Sequence, residues 1–328
     1  MNSTLTHSAN PSTVPLAVFE VPSCTFEASL AWREILRLFP LKEQWLEGNG
    51  FRLYYWTHPL YRVAISTPFR DRLALEWEGA APPLGIDFSA LAGRTGYADL
   101  VVKDVGALAV KSPDEHAGLV NDYVNSEVRL DGDIEKRFKH SARMSLRNAQ
   151  EKYSLTVEIN PENVFENFYQ MYLFTRRRLG VLPYPGRFFR ALFEHCGEKV
   201  MVFACRSLQK PMGYLVCYLH GSEMISGHLI YDFEQRHKRI SDFLYLSAFQ
   251  WGHANGFTTY RFGADNQNQI SLIESKQKLG AVARPQWDFR RRSKPSEDLP
   301  DSPIRRILRA MPMPLFRHTG SITKIYFG

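Results

Sequence analysis

Three apolar runs of strand length follow one another between residues 199 and 231 with only tight turns between them, and no other feature restricts the fold of this chain so strongly. Residues 199–206, 212–220 and 223–231 are separated by short loops holding Lys210-Pro211 and Gly221-Ser222. Connections that short cannot cross a sheet face, so the runs make an antiparallel meander. Helical spacing precedes them. Val164, Phe165, Phe168, Met171, Thr175 and Leu179 line one face of a helix running from Pro161 to a stop at Gly180, and a second helix, 187–196, ends at Gly197. After the meander a basic loop, 235–239, leads into a helix beginning near Ser241. Phe243, Leu244, Leu246, Ala248, Phe249 and Trp251 cover most of its circumference. It must therefore be buried on several sides, and we expect it to face the N-terminal part of the chain across a cleft. A strand at 258–262, a helix at 270–279 and a strand at 284–290 close the pattern.

The N-terminal region carries weaker signals of the same mixed kind. Phe26, Leu30, Ile35, Leu38 and Leu41 predict a helix over 26–41, and strands follow at 51–56, 61–66, 73–77 and 97–105, with Pro82-Pro83 as a break and a short helix at 85–92. Residues 134–152 read as a helix with a thin apolar stripe flanked by Arg137, Lys139, Arg143 and Arg147. Helix and strand without a repeated βαβ period argue against a doubly wound or barrel fold. The fold class is α+β, with a mixed, largely antiparallel sheet flanked by helices.

Composition and absent motifs narrow the function. No apolar run approaches the roughly 18 residues a spanning helix needs, and the Ser/Thr/Asn/Pro-rich start of the chain has neither the basic nor the apolar stretch of a secretory signal. A cytoplasmic location is expected. The four cysteines (Cys24, Cys196, Cys205 and Cys217) show no CxxC spacing and read as free, mostly buried thiols. No dinucleotide fingerprint, Walker A loop, nucleophile elbow or His-Glu-x-x-His helix is present, and no metal site is expected. The formal charge of +7 favours an anionic partner. Arg236, His237, Lys238 and Arg239 stand directly before the apolar helix, where unpaired backbone N–H groups attract anions; Asp242 in its first turn opposes that.

The order helix, helix, meander, buried helix, strand, then Phe262-Gly263 and a helix holding Lys276-Gln277-Lys278-Leu279-Gly280, resembles the C-terminal domain of FemAB-like aminoacyl and acyl transferases, a branch of the GNAT acyltransferase superfamily. The likeness covers roughly residues 130 to 290 and includes the basic helix running into a strand at 143–157, Leu179-Gly180 and Phe188-Phe189. It implies two tandem GNAT-like domains: a disordered leader at 1–17, a degenerate N-terminal GNAT-like domain at 18–130, a C-terminal GNAT-like acyltransferase domain at 131–292 and a basic tail at 293–328. The chain departs from the family in having Arg261 before the aromatic-Gly pair and Ser275 before the lysine. Where CoA-binding members carry glycines, it has Arg236-His237-Lys238-Arg239-Ile240-Ser241.

The resemblance implies transfer of an acyl or aminoacyl group from a carrier to an amine, on a cell-envelope or polysaccharide precursor. Lys276 becomes the candidate stabiliser of the oxyanion. Asp232 and His228, at the end of the third meander strand, are candidate bases. Arg236, Lys238, Arg239, Ser241, Arg143 and Arg147 are candidates for holding the donor. No resident cofactor is expected; the donor is acyl-CoA, acyl carrier protein or aminoacyl-tRNA, and Arg239 in a glycine's place favours the larger carriers. In the tail, Ile304, Ile307, Leu308 and Met311 alternate with Arg305, Arg306 and Arg309 in a helix stopped by Pro312 and Pro314. Such a helix suits peripheral contact with the anionic inner face of a membrane, docking on the protein itself, or a disordered tail. The rival reading is a non-catalytic tRNA- or anionic-lipid-binding protein that keeps the fold.

Overall fold

The computed structural model describes residues 24–58, 61–70, 72–97, 99–108, 118–291 and 302–323; the expected leader lies outside them. A short 3-10 turn, Phe26–Ala28, precedes α1 (Leu30–Arg37), which is capped by the Ser29 hydroxyl. Strands β1 (Lys42–Gly48), β2 (Phe51–His58), β3 (Tyr61–Ile65) and β4 (Ala74–Trp77), helix α2 (Phe88–Arg94) and strand β5 (Asp99–Val102) complete the first half. Then come β6 (Leu119–Arg129), α3 (Ile134–Arg137), α4 (His140–Tyr153), β7 (Leu155–Ile159), α5 (Val164–Leu179) and α6 (Gly186–His195). The meander is β8 (Val200–Ser207), β9 (Lys210–His220) and β10 (Glu223–Tyr231). A 3-10 turn (Phe233–Lys238), α7 (Ile240–Ala254), β11 (Thr259–Asn266), α8 (Ile270–Lys278), β12 (Val282–Arg291), α9 (Pro303–Ala310) and α10 (Met313–Thr323) finish the chain.

The twelve strands form one sheet in the order β1-β2-β3-β5-β12-β6-β11-β10-β9-β8-β7, with β4 on β2. Neighbours are antiparallel except β3 with β5 and β10 with β11, so the mixed, largely antiparallel α+β architecture expected from the sequence is what the chain adopts. β12 joins the two halves, pairing with β5 on one side and β6 on the other.

Strand alternation divides the core. Val200, Val202 and Ala204 of β8, with Tyr214, Val216 and Tyr218 of β9, face α1, α5 and α6; Met201, Phe203 and Cys205, with Leu215 and Cys217, face α7. Helix α7 lies on β8, β9 and β10 beneath α3 and α4, and Phe243 and Phe249 are buried. It does not face the N-terminal half, as its apolar circumference had suggested. That half meets the opposite face of the sheet, where Trp32 packs edge-on to Phe188 and Phe26 lies 5.0 Å from Tyr218. The helix read at 134–152 is broken at Phe138-Lys139 into α3 and α4. β1 and β6 were not foreseen, because neither Lys42–Gly48 nor Leu119–Arg129 carries an apolar run.

Candidate active site

β10 and β11 run parallel but pair only at their starts, over Glu223–Ile225 and Thr259–Arg261. Beyond that point each stays on its outer neighbour, β10 on β9 to Tyr231 and β11 on β6 to Asn266. The two strands therefore diverge and open a wedge in the sheet. Both are irregular where it opens. The β9–β10 register shifts between Ser226 and His228, and the β11–β6 register shifts between Arg261 and Ala264. Gly263 takes φ +86 at the second shift, a conformation that disfavours any side chain.

The bulge in β10 has a consequence for its side chains. Before it, Met224 joins the α7 face and Ile225 the α5/α6 face; after it, Ile230 is on the α5/α6 face and Leu229 and Tyr231 are on the α7 face. One inserted residue thus reverses the alternation. Ser226 faces α7, where the Tyr245 and Tyr260 hydroxyls engage it. His228 turns to the other face, among Tyr172, Tyr184, Phe188 and Phe189, with ring centroids 5.0–6.3 Å away.

Around the α7 side of the wedge the ionic groups are paired. Lys276 in the last turn of α8 is 7% exposed, and its Nζ lies 2.5 Å from Asp265 Oδ2 near the end of β11. The same ammonium is 5.2 Å from the centre of the Phe262 ring, and Tyr245 packs edge-on to that ring at 4.8 Å. At the start of α7, Arg239 takes the left-handed conformation (φ 58) and its guanidinium lies 2.7 Å from Asp242 Oδ2. Burial pushes the Asp242 carboxyl up, against the pull of Arg239. Burial also raises Tyr245 and Tyr260, so both hydroxyls keep their protons at neutral pH.

The other expected site residues are placed as follows. Asp232 caps the 3-10 turn, accepting from Glu234 N at 3.1 Å. Arg236 stacks on Phe233 at 4.5 Å, and Arg178 of α5 stacks on the same ring at 3.8 Å. Lys238 lies 5.3 Å from the ring of Tyr153, which also meets His237. Ser241 donates to Asp242. Arg147 is tied to Glu135 at 2.7 Å, and Arg143 reaches only His140 within its own helix. Lys276 with Asp265, and Arg239 and Ser241 with Asp242, thus form two clusters, and Tyr245 of α7 is close enough to feel both carboxylates; His228 lies on the other face of the sheet, and Arg143 and Arg147 stand along α4.

Asp265, Ser226 and Tyr245 were not singled out from the sequence. Asp265 was missed because the strand was read to end at Phe262, whereas β11 continues to Asn266. Tyr245 was hidden in an apolar helix. Among the described residues no group of three or more His, Cys, Asp and Glu side chains could hold a metal ion, and no helix is long and apolar enough to cross a membrane.

Residues 136–268 match the family model of the GNAT acetyltransferase domain. Among solved structures the chain is similar to FemX (12% identity, TM-score 0.58, covering 80% of this chain and 92% of that one). It is also similar to the C-terminal domain of a putative lysylphosphatidylglycerol synthetase from Agrobacterium fabrum (14%, TM-score 0.54, 80% and 88%). A third similar structure is L-PGS from Bacillus licheniformis (14%, TM-score 0.51, 84% and 94%). No curated protein matches the chain. The resemblance to FemAB-like GNAT acyltransferases stands on the matched domain and the shared fold. The matched residues hold the meander, the wedge and α7, and end before α8 and Lys276.

Proposed function

We propose that the protein transfers an aminoacyl or acyl group from a macromolecular carrier to an amine, at the wedge between β10 and β11. The observation that carries this reading is the buried Lys276 ammonium, fixed by Asp265 beside the diverging strands. The acceptor nitrogen attacks the donor carbonyl carbon. As the C–N bond forms, the carbonyl electron pair moves to oxygen, and a positive charge already in place stabilises that oxyanion without reorganisation. Collapse restores the carbonyl and breaks the acyl–oxygen or acyl–sulfur bond to the carrier, which leaves with the proton lost by the amine. Asp265 acts as a positioning residue for Lys276. His228 and Asp232 are not placed beside Lys276 to take the amine's proton: the bulge turns the His228 ring to the other face of the sheet among Tyr172, Tyr184, Phe188 and Phe189, and the Asp232 carboxylate is engaged in capping a turn.

The start of α7 argues against a CoA pyrophosphate held by backbone N–H groups. The Arg239–Asp242 pair occupies that helix end, and its carboxylate repels phosphate there. Stacked and exposed cations around the 233–238 turn suit an anion gripped by side chains, as on aminoacyl-tRNA or a phosphorylated acyl carrier. The similar fold of a domain from a putative lysylphosphatidylglycerol synthetase favours the aminoacyl form, and a cell-envelope or polysaccharide precursor is the acceptor class that the FemAB resemblance suggests. Titration with CoA, bulk aminoacyl-tRNA and acyl carrier protein at two salt concentrations tests the donor. Binding to tRNA or carrier that weakens steeply with salt is expected. Tight, salt-insensitive CoA binding would sink the carrier assignment, and binding without transfer to any amine would favour the non-catalytic rival.

A further inference from the structure

We infer that the interface between the two halves holds a bound water molecule beneath the bulge of β10, joining Glu27 and Trp32 of the first half to Tyr218 of the second. Four polar side chains meet there. Glu27, Trp32 and Tyr218 are 0% exposed, and Arg70 is 8% exposed. The Arg70 guanidinium lies 4.4 Å from the centre of the Tyr218 ring and 6.0 Å from that of Trp32, and its Nε is 3.2 Å from Glu27 Oε1. The Trp32 and Tyr218 rings are themselves 6.0 Å apart. Phe26 closes the group, 5.0 Å from Tyr218 and 5.7 Å from Trp32.

The protein's own groups do not complete the hydrogen bonding here. Glu27 Oε2, the Trp32 indole nitrogen and the Tyr218 hydroxyl are each cut off from solvent and meet no hydrogen-bond partner in the protein. Buried polar groups left in that state cost stability, and ordered water is the usual remedy where several occur together. The chemistry of the three selects the occupant. An indole N–H only donates, a carboxylate oxygen only accepts, and a phenol can do either. Burial pushes the Tyr218 hydroxyl well above its ordinary value, so it keeps its proton and donates at neutral pH. One water accepts from Trp32 Nε1 and Tyr218 Oη and donates to Glu27 Oε2, which makes the three hydrogen bonds typical of a buried water. A cation would face the Arg70 guanidinium and an anion the Glu27 carboxylate. A small neutral molecule meets neither repulsion.

The position gives this water a structural role. Tyr218 lies directly under Gly227, where a Cβ would stand 2.9 Å from the hydroxyl oxygen. The water therefore ties the first half to the strand pair whose bulge marks the mouth of the wedge. This bridge is independent of what the wedge transfers.

A crystal structure of the full chain at a resolution that shows ordered solvent is the first test. Density is expected at hydrogen-bond distance, about 2.6–3.2 Å, from Tyr218 Oη and from Glu27 Oε2 or Trp32 Nε1. No density there, density reaching atoms of one half alone, or side chains turned to pair directly with one another would each overturn the proposal. Tyr218→Phe supplies a second test, in which the two possibilities differ in sign. The variant keeps the ring and its stacking contacts and removes only the hydroxyl, so it should fold. If water holds the hydroxyl, its loss breaks a hydrogen bond and the melting temperature falls by about 2 °C. If the hydroxyl is buried without a partner, its removal relieves a cost, and a melting temperature equal to or above the parent's would overturn the proposal.

Discussion

Lys276 can be separated from an ordinary structural pair by replacing both of its members. Lys276→Ala should lower transfer about 100-fold, the usual effect of losing an oxyanion donor. It should also cost about 3 kcal/mol of stability, because a nearly buried Asp265 then loses its countercharge. Lys276→Met with Asp265→Leu should melt close to the parent, since apolar residues of similar size replace buried ion pairs at little cost, and yet stay inactive. Recovery of turnover in the double variant would reduce the pair to a structural one. A second titratable group reports on the contact between the halves. Burial pushes His220 below its ordinary value of 6.5, and its Nε2 donates to Cys24 O at 2.6 Å. A depressed imidazole means the unfolded chain binds the proton more readily, so stability is full above 6.5 and declines as pH falls below it. His220→Gln should flatten that part of a melting-temperature profile. Glu223 acts lower in pH. Burial raises its carboxyl, but Arg72 and Arg261 outweigh this and hold it below 4.5, so its contribution fades as pH falls through the carboxylate range.

The elements differ in how far sequence disclosed them. The meander, α5, α6, α7 and α8 were legible because each carries its own periodicity and stop signal, and they frame the wedge. The wedge itself was not legible. Divergence of β10 and β11 depends on which strands lie outside them, and the outer partner of β11 is β6, whose burial pattern gives no strand signature. The bulge at Gly227 was hidden for a related reason, since a one-residue insertion looks like ordinary sequence until the partner strand is known. A Cβ at Gly227 would lie 2.4 Å from Cε2 of Tyr218. That ring is held by Phe26 and Trp32, with the Arg70 guanidinium 4.4 Å from its centre, and it has little room to yield. Gly227→Ala should therefore destabilise by about 1–3 kcal/mol, and thermal unfolding would show it. A neutral result would mean that β10 can shift its register freely.

Across the molecule, charge and β12 hold the halves together. Arg70, paired with Glu27 inside the first half, reaches across to lie 4.4 Å from the centre of the Tyr218 ring, and Arg72 links Glu223 to Asp104. Asp288 of β12, 2% exposed, accepts from Asp104 N and from the Gln286 amide, both at 3.0 Å. Asp288→Ala should cost about 3 kcal/mol by stranding buried donors. Because the sheet is continuous, amide exchange should quicken in β2 and β9 alike; acceleration confined to one half would show that the halves unfold separately. The position of β12 matters also while the chain is being made. It is the last of the described strands in sequence and covers both β5 and β6. A chain emerging from the ribosome can assemble everything up to residue 281 and still present two bare strand edges, which are templates for pairing with other chains. Final closure waits for ten more residues, and a product terminated before Val282 would carry both edges exposed, making this segment the point at which synthesis passes from an aggregation-prone intermediate to a protected sheet.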